Sequence, residues 1–188
     1  ILEDSDADQE YFYNFVLGEP YNPSNIQVTK STILDNWTPH SLETGRWFLG
    51  VDVGNIKHFT LGSEKGIVKV GRFSDWSDLD KMIAMYHPIL VIDAMPENDV
   101  AKHYVDTYRQ GYMCWVQRDK EQKRWLKWGE NNESGSIKID RNRAIDHLIT
   151  ELLSGNILYS VAVDKDFREY IKQWETLRQV KETNTLGI

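Results

Sequence analysis

Trp47-Phe48-Leu49-Gly50-Val51-Asp52-Val53-Gly54 and Ile89-Leu90-Val91-Ile92-Asp93 decide the fold. Each is an apolar run of strand length with an acid near its end, and such runs read as strands of a buried sheet. Between them, residues 57–61 and 66–73 read as two more strands, separated by the turn residues Gly62-Ser63-Glu64-Lys65. The period then changes. Leu79, Met82, Ile83 and Tyr86 fall at helical spacing, with Ser74 or Asp75 as N-cap and Pro88 beyond the end.

Working outward, Val100, Tyr104 and Tyr108 make a second helix face closed by Gly111, and residues 112–116 read as a fifth strand. Residues 125–128 and 136–139 flank a turn-rich stretch and predict a hairpin. Ile145, Leu148, Ile149 and Leu152 give a third helix with Gly155 as its C′ residue. Phe167, Tyr170, Ile171 and Trp174 give a fourth, capped by Asp164. The order βββ-α-β-α-β predicts an α/β fold: a mixed five-stranded sheet flanked by helices, with an added β-hairpin. Residues 1–46, with Pro20, Pro23, Pro39 and an acidic start, read as an irregular lead-in or linker from a preceding domain, and residues 47–188 as the domain proper.

A right-handed crossover places the Asp93 strand beside the Asp52 strand. The two strands then lie about 4.8 Å apart and their carboxylates share one sheet edge. A single strand-end aspartate often does no more than cap the next turn. A buried pair of like charges is costly unless a cation neutralises it. Mg²⁺ suits the pair, being hard and usually held by one or two carboxylates plus substrate phosphate. Two ions about 3.5–4 Å apart would clamp the attacking and leaving oxygens of a phosphodiester.

Composition sets the bounds. The chain has 188 residues, 40% of them apolar and 27% charged, as in a soluble globular domain. No apolar run approaches the roughly 20 residues of a membrane span, and the acidic first ten residues do not read as a signal peptide. Cys114 is the one cysteine, which excludes a disulfide framework and a multi-cysteine zinc site; in its apolar strand it reads as structural. The net charge of −7 argues against a nucleic-acid partner, but it hides an asymmetry: residues 118–143 carry +3 and the remainder −10. Lys120, Lys123, Arg124 and Lys127 before the hairpin, with Lys138, Arg141 and Arg143 after it, form a basic strip able to neutralise phosphates. A solvated loop is the plain alternative. Gly54 reads as a tight turn or close approach.

The motifs also carry a resemblance. Val51-Asp52-Val53-Gly54, the strands after it, and Val91-Ile92-Asp93-Ala94-Met95-Pro96-Glu97 resemble the RNase H-like (retroviral-integrase-like) superfamily, and within it the nuclease domain of phage large terminase subunits. Phe12-Tyr13-Asn14-Phe15-Val16-Leu17-Gly18-Glu19-Pro20-Tyr21 resembles that family's entry from its ATPase domain. Asp140-Arg141-Asn142-Arg143-Ala144-Ile145-Asp146 resembles its Asn-Arg-Thr-x-x-Leu-Asp motif, with Ala144 in place of Thr. Residues 155–158, running on to Trp174-Glu175-Thr176-Leu177, resemble the segment that follows.

The resemblance implies a metal-dependent endonuclease that cuts double-stranded concatemeric viral DNA in the host cell cytoplasm. It implies Asp52 and Asp93 as catalytic metal ligands, two Mg²⁺ or Mn²⁺ ions in the active complex, and a mobile hairpin near the metal site. Portal protein and small terminase subunit would be partners of the full-length protein. The family's third acid lies in an Asp-His segment of a C-terminal helix. No such segment follows Trp174, so it is expected beyond Ile188 or elsewhere. Asp146, Asp140, Asp164 and Asp166 are lesser candidates, and Asp140, Asp164 and Asp166 read better as helix caps. His58 and Glu97 are minor candidates for phosphate and for water-mediated metal. No Walker A loop is present, so the chain reads as the nuclease portion of a longer motor. The alternatives are another RNase H-like nuclease or resolvase, and a non-catalytic nucleic-acid-binding domain of the same fold.

Overall fold

Leu49 and Val51, Phe59 and Leu61, Leu90 and Ile92 are all buried at alternate positions of their strands. Period 2 therefore sends Asp52, His58 and Asp93 to the opposite face of the same sheet. The computed structural model describes residues 28–117, 126–129 and 135–176. The strands are β1 (Trp47–Asp52), β2 (Lys57–Ser63), β3 (Gly66–Phe73), β4 (Ile89–Asp93), β5 (Gly111–Gln117), β6 (Leu126–Trp128) and β7 (Ser136–Asp140). The helices are α1 (Lys30–Asp35), α2 (Trp76–Tyr86), α3 (Asn98–Thr107), α4 (Arg141–Leu153) and α5 (Lys165–Thr176).

The sheet is mixed, in the order β3-β2-β1-β4-β5-β7-β6. β1, β2 and β3 form an antiparallel meander, while β4 runs parallel to β1 and β5 parallel to β4. The expected five strands become seven. β7 pairs in parallel with β5 along Met113↔Ser136 to Gln117↔Asp140, so the hairpin strands continue the sheet instead of standing apart from it. β2 also runs to Ser63, past the expected turn at Gly62, because an irregularity between Leu61 and Gly62 absorbs the change of register.

Helices cover both faces. On one, β1, β2 and β4 pack Leu49, Val51, Phe59, Leu61, Leu90 and Ile92 against Leu79 of α2 and Ala101 and Tyr104 of α3. On the other, Val70 of β3 meets Ile149 and Leu152 of α4, Phe167 and Ile171 of α5, and Tyr159. Val28 and Ile33 join this second cluster, Ile33 with 0% exposure. Val28 and Ile33 of the expected lead-in are thus part of the core. Thr29 starts α1 with a capping box. Asn36 Nδ2 donates to the Leu152 carbonyl at 2.6 Å, and Trp37 Nε1 to that of Val161 at 2.9 Å.

The expected caps are in place. Asp75 accepts from Ser77 N at 2.8 Å, Asp140 from Arg143 N at 3.0 Å and Asp164 from Phe167 N at 3.0 Å, while Gly155 has φ +72° after α4. Among the described residues no helix is long and apolar enough to cross a membrane.

Candidate active site

Asp52 and Asp93 meet because of register. Val51 and Ile92 are Cα partners in the parallel β1–β4 pair, and each aspartate is the next residue. Both therefore leave the carboxyl edge of the sheet on the same face, as ligand-binding residues of open α/β sheets do. Burial pushes the Asp93 carboxyl above its ordinary value, and the charge of Asp52 adds to the push; the backbone N–H of Met95, donating to Asp93 Oδ1 at 3.2 Å, opposes it. The two carboxylates feel each other, and Asp93 bears part of the desolvation cost.

They line a cleft of about 510 Å³ between the sheet and the helices α4 and α5. Strand alternation explains its floor. Arg72, His58 and Asp52 form one cross-strand row, since His58 is the Cα partner of both of the others. Asp93 continues the row to Cys114, its partner on β5. Burial, helped by Asp93, pushes the Cys114 thiol up to about 11, so it stays protonated and acts as a small apolar group, as its strand position implied. The roof carries Asp166, Glu169, Tyr170 and Gln173 of α5.

The other sequence candidates lie elsewhere. Glu97 precedes α3 but binds Lys57 Nζ at 2.9 Å and accepts from Trp76 Nε1 at 3.2 Å, and it does not line the cleft. Its carboxyl is held below the ordinary range, first by the hydrogen bond from Lys57. Asp140 and Asp164 spend oxygens on helix N-termini. Asp146 is an exposed residue of α4 outside the lining of the cleft.

Of the basic strip, Lys120, Lys123 and Arg124 lie outside the described residues. Lys127 and Lys138 are direct cross-strand partners on β6 and β7. Ile139 lines the cleft, so alternation puts Lys138 on the opposite sheet face. Arg141 and Arg143 are exposed in the first turn of α4. Lys127, Lys138, Arg141 and Arg143 are not among the residues that line the cleft.

Sequence reasoning missed Arg72 and Glu169 and ranked Asp166 low. A usable signal existed. Asp166, Glu169, Tyr170 and Gln173 are spaced i, i+3, i+4, i+7, a helical face in its own right beside the apolar face already read from Phe167 and Ile171.

A divalent cation fits the donor set. Asp93 is desolvated next to a like charge, the condition that a cation relieves, and oxygen-only donors suit Mg²⁺ or Mn²⁺. Among the described residues no group of three or more His, Cys, Asp or Glu is arranged to hold a metal ion. No protein-family model matches the chain, and no curated protein matches it in sequence.

Proposed function

We propose that this chain is a metal-dependent endonuclease domain of RNase H-like fold, acting on double-stranded DNA as the nuclease portion of a phage large terminase subunit. One observation carries the reading: Asp52 and Asp93 stand side by side at the ends of neighbouring parallel strands, in one cleft, with Asp93 shifted by burial and by Asp52. The three-strand meander followed by two parallel crossovers supports it, because that is the arrangement the sequence resemblance implies. On this reading the protein works in the host cell cytoplasm on concatemeric DNA. A preceding ATPase domain, the portal protein and the small terminase subunit would be engaged through the full-length protein.

Asp52 and Asp93 would hold the ion. Mg²⁺ or Mn²⁺, when bound, supplies Lewis acidity at a phosphoryl oxygen and a more acidic water. The chain's own contribution is position and charge. β1 and β4 fix the two carboxylates through the sheet, so neither needs to be ordered when substrate arrives. The Met95 N–H donates to Asp93 Oδ1 and so orients the carboxylate that would help to hold the ion. Because burial favours the protonated Asp93, protons compete with the metal, and cleavage should rise with pH through the Asp93 titration.

The test is nicking of supercoiled plasmid with Mg²⁺ or Mn²⁺. Asp52→Asn and Asp93→Asn should each lower the rate on the order of 100-fold or more, since a direct ligand matters at least as much as the partners behind it. Full cleavage by a folded Asp52→Asn protein would remove the assignment. A second reading, a non-catalytic nucleic-acid-binding domain, draws on the absence of a third acid beside the pair among the described residues. It predicts duplex binding without any metal-dependent cutting.

A further inference from the structure

The cleft that holds Asp52 and Asp93 also holds a guanidinium for which metal-dependent cleavage by the two aspartates has no role. Arg72 is on the cleft floor, two strands away from Asp52, with His58 between them. A spacing of about 4.8 Å per strand puts it on the order of 10 Å from Asp52 along the row. From the roof, Asp166 in the first turn of α5 faces it, with Oδ1 3.6 Å from Arg72 Nε.

This ion pair is loose. A charge-assisted N–H···O bond normally runs about 2.7–2.9 Å, and strong guanidinium–carboxylate pairs are bidentate. Here one nitrogen faces one oxygen, with the two side chains 37% and 38% exposed. A pair of this kind contributes little to stability. Arg72 is therefore held over the cleft by a carboxylate that it can leave at small cost.

We propose that Arg72 binds a backbone phosphate of the nucleic-acid strand that enters the cleft, exchanging Asp166 for that phosphate. The inference rests on the nuclease reading. Asp52, Asp93, Asp166 and Glu169 make the lining strongly acidic, and Arg72 is its one permanent cation among the described residues. A strand needs such a cation there, and the planar fork of arginine matches phosphate as well as carboxylate. Asp166 fills the anion position while the strand is absent. It acts through Arg72 and is a positioning residue.

The experiment measures binding of a short duplex of arbitrary sequence by the 188-residue chain. Ca²⁺ replaces Mg²⁺, and several salt concentrations are used. Arg72→Ala should weaken binding and reduce the log–log salt slope by about one unit. Arg72→Lys should keep the slope but not the full affinity, because an ammonium is only a point charge. Asp166→Asn should tighten binding several-fold, and the double variant should match Arg72→Ala alone. Thermal unfolding provides the folding control, and Arg72→Lys keeps the test alive if the alanine variant misfolds. An unchanged slope in Arg72→Ala overturns the inference. So does an Asp166→Asn gain that persists without Arg72, since that is general repulsion. A wild-type chain that cuts DNA alongside either result keeps the nuclease reading, whereas a wild-type chain that binds no duplex removes both.

Discussion

Asp93 is the residue whose protonation links the site to stability. Its folded value is raised, first by burial and then by Asp52. The folded state thus keeps a proton that the unfolded chain has lost. The stability this provides is complete below the ordinary value of 3.8 and is lost as the pH rises through the folded value. In metal-free buffer the melting temperature of Asp93→Asn should therefore gain on that of wild type across this window. Mg²⁺ should raise the wild-type melting temperature at neutral pH and leave that of Asp93→Asn unchanged; equal responses would place the ion elsewhere. Gly66 poses a different question. It has φ +150°, and a Cβ there would run into the backbone oxygen of Leu158, which accepts from Ile67 N at 2.8 Å. Gly66→Ala should cost about 1–3 kcal/mol in urea unfolding. Gly50→Ala should cost much less, because its Cβ would find only the Thr60 oxygen at 4.0 Å.

At the scale of elements, α1 tests where the folded unit starts. Ile33 is fully buried against elements of the C-terminal half, while Leu34 next to it is 37% exposed. Ile33→Ala should cost about 2–5 kcal/mol by equilibrium denaturation, and Leu34→Ala far less; equal, small losses would show α1 to be a detachable appendage. This element was the least legible in the sequence. Six residues with a single buried side chain give no helical period to read, and α4 and α5, against which Ile33 packs, lie more than a hundred residues away. The strands β1 and β4 and the caps at Asp75, Asp140 and Asp164 were legible because their signals are local: apolar runs, and a short polar side chain one position before a helical period. The apolar run of β1 is buried on one face alone. α4 and α5 roof a cleft there instead of sealing the second face, so Gly50 and Asp52 stay exposed. Asp52 and Asp93 could be brought together on paper by one chirality rule. Arg72 could not, because a charged residue at an exposed strand position reads as ordinary surface and only the partner on α5 marks it out.

For the whole molecule, the question is how much positive charge the site accepts before substrate comes. The chain carries −7, yet what matters is local: two carboxylates on one sheet edge offer at most about four oxygens, while octahedral Mg²⁺ wants six and takes water for the rest. On the nuclease reading, a first ion would turn the pair's mutual repulsion into attraction and relieve the desolvated Asp93. A second ion close by would bring about two further positive charges to acids already neutralised, with no third acid beside them among the described residues. Asp166 and Glu169 line the same cleft, but Asp166 is engaged with Arg72, whose own charge opposes a cation. On the nuclease reading, the scissile phosphate would then bring the charge that holds a second ion. Calorimetric titration of the 188-residue chain without DNA should accordingly give one Mg²⁺ site, and a second only with a duplex present and cleavage blocked. Asp52→Asn should abolish the first site, whereas Asp166→Asn should leave it intact. Two tight, independent sites in the DNA-free protein would mean that a third ligand is already in reach within the chain, and that the second ion does not wait for the phosphate.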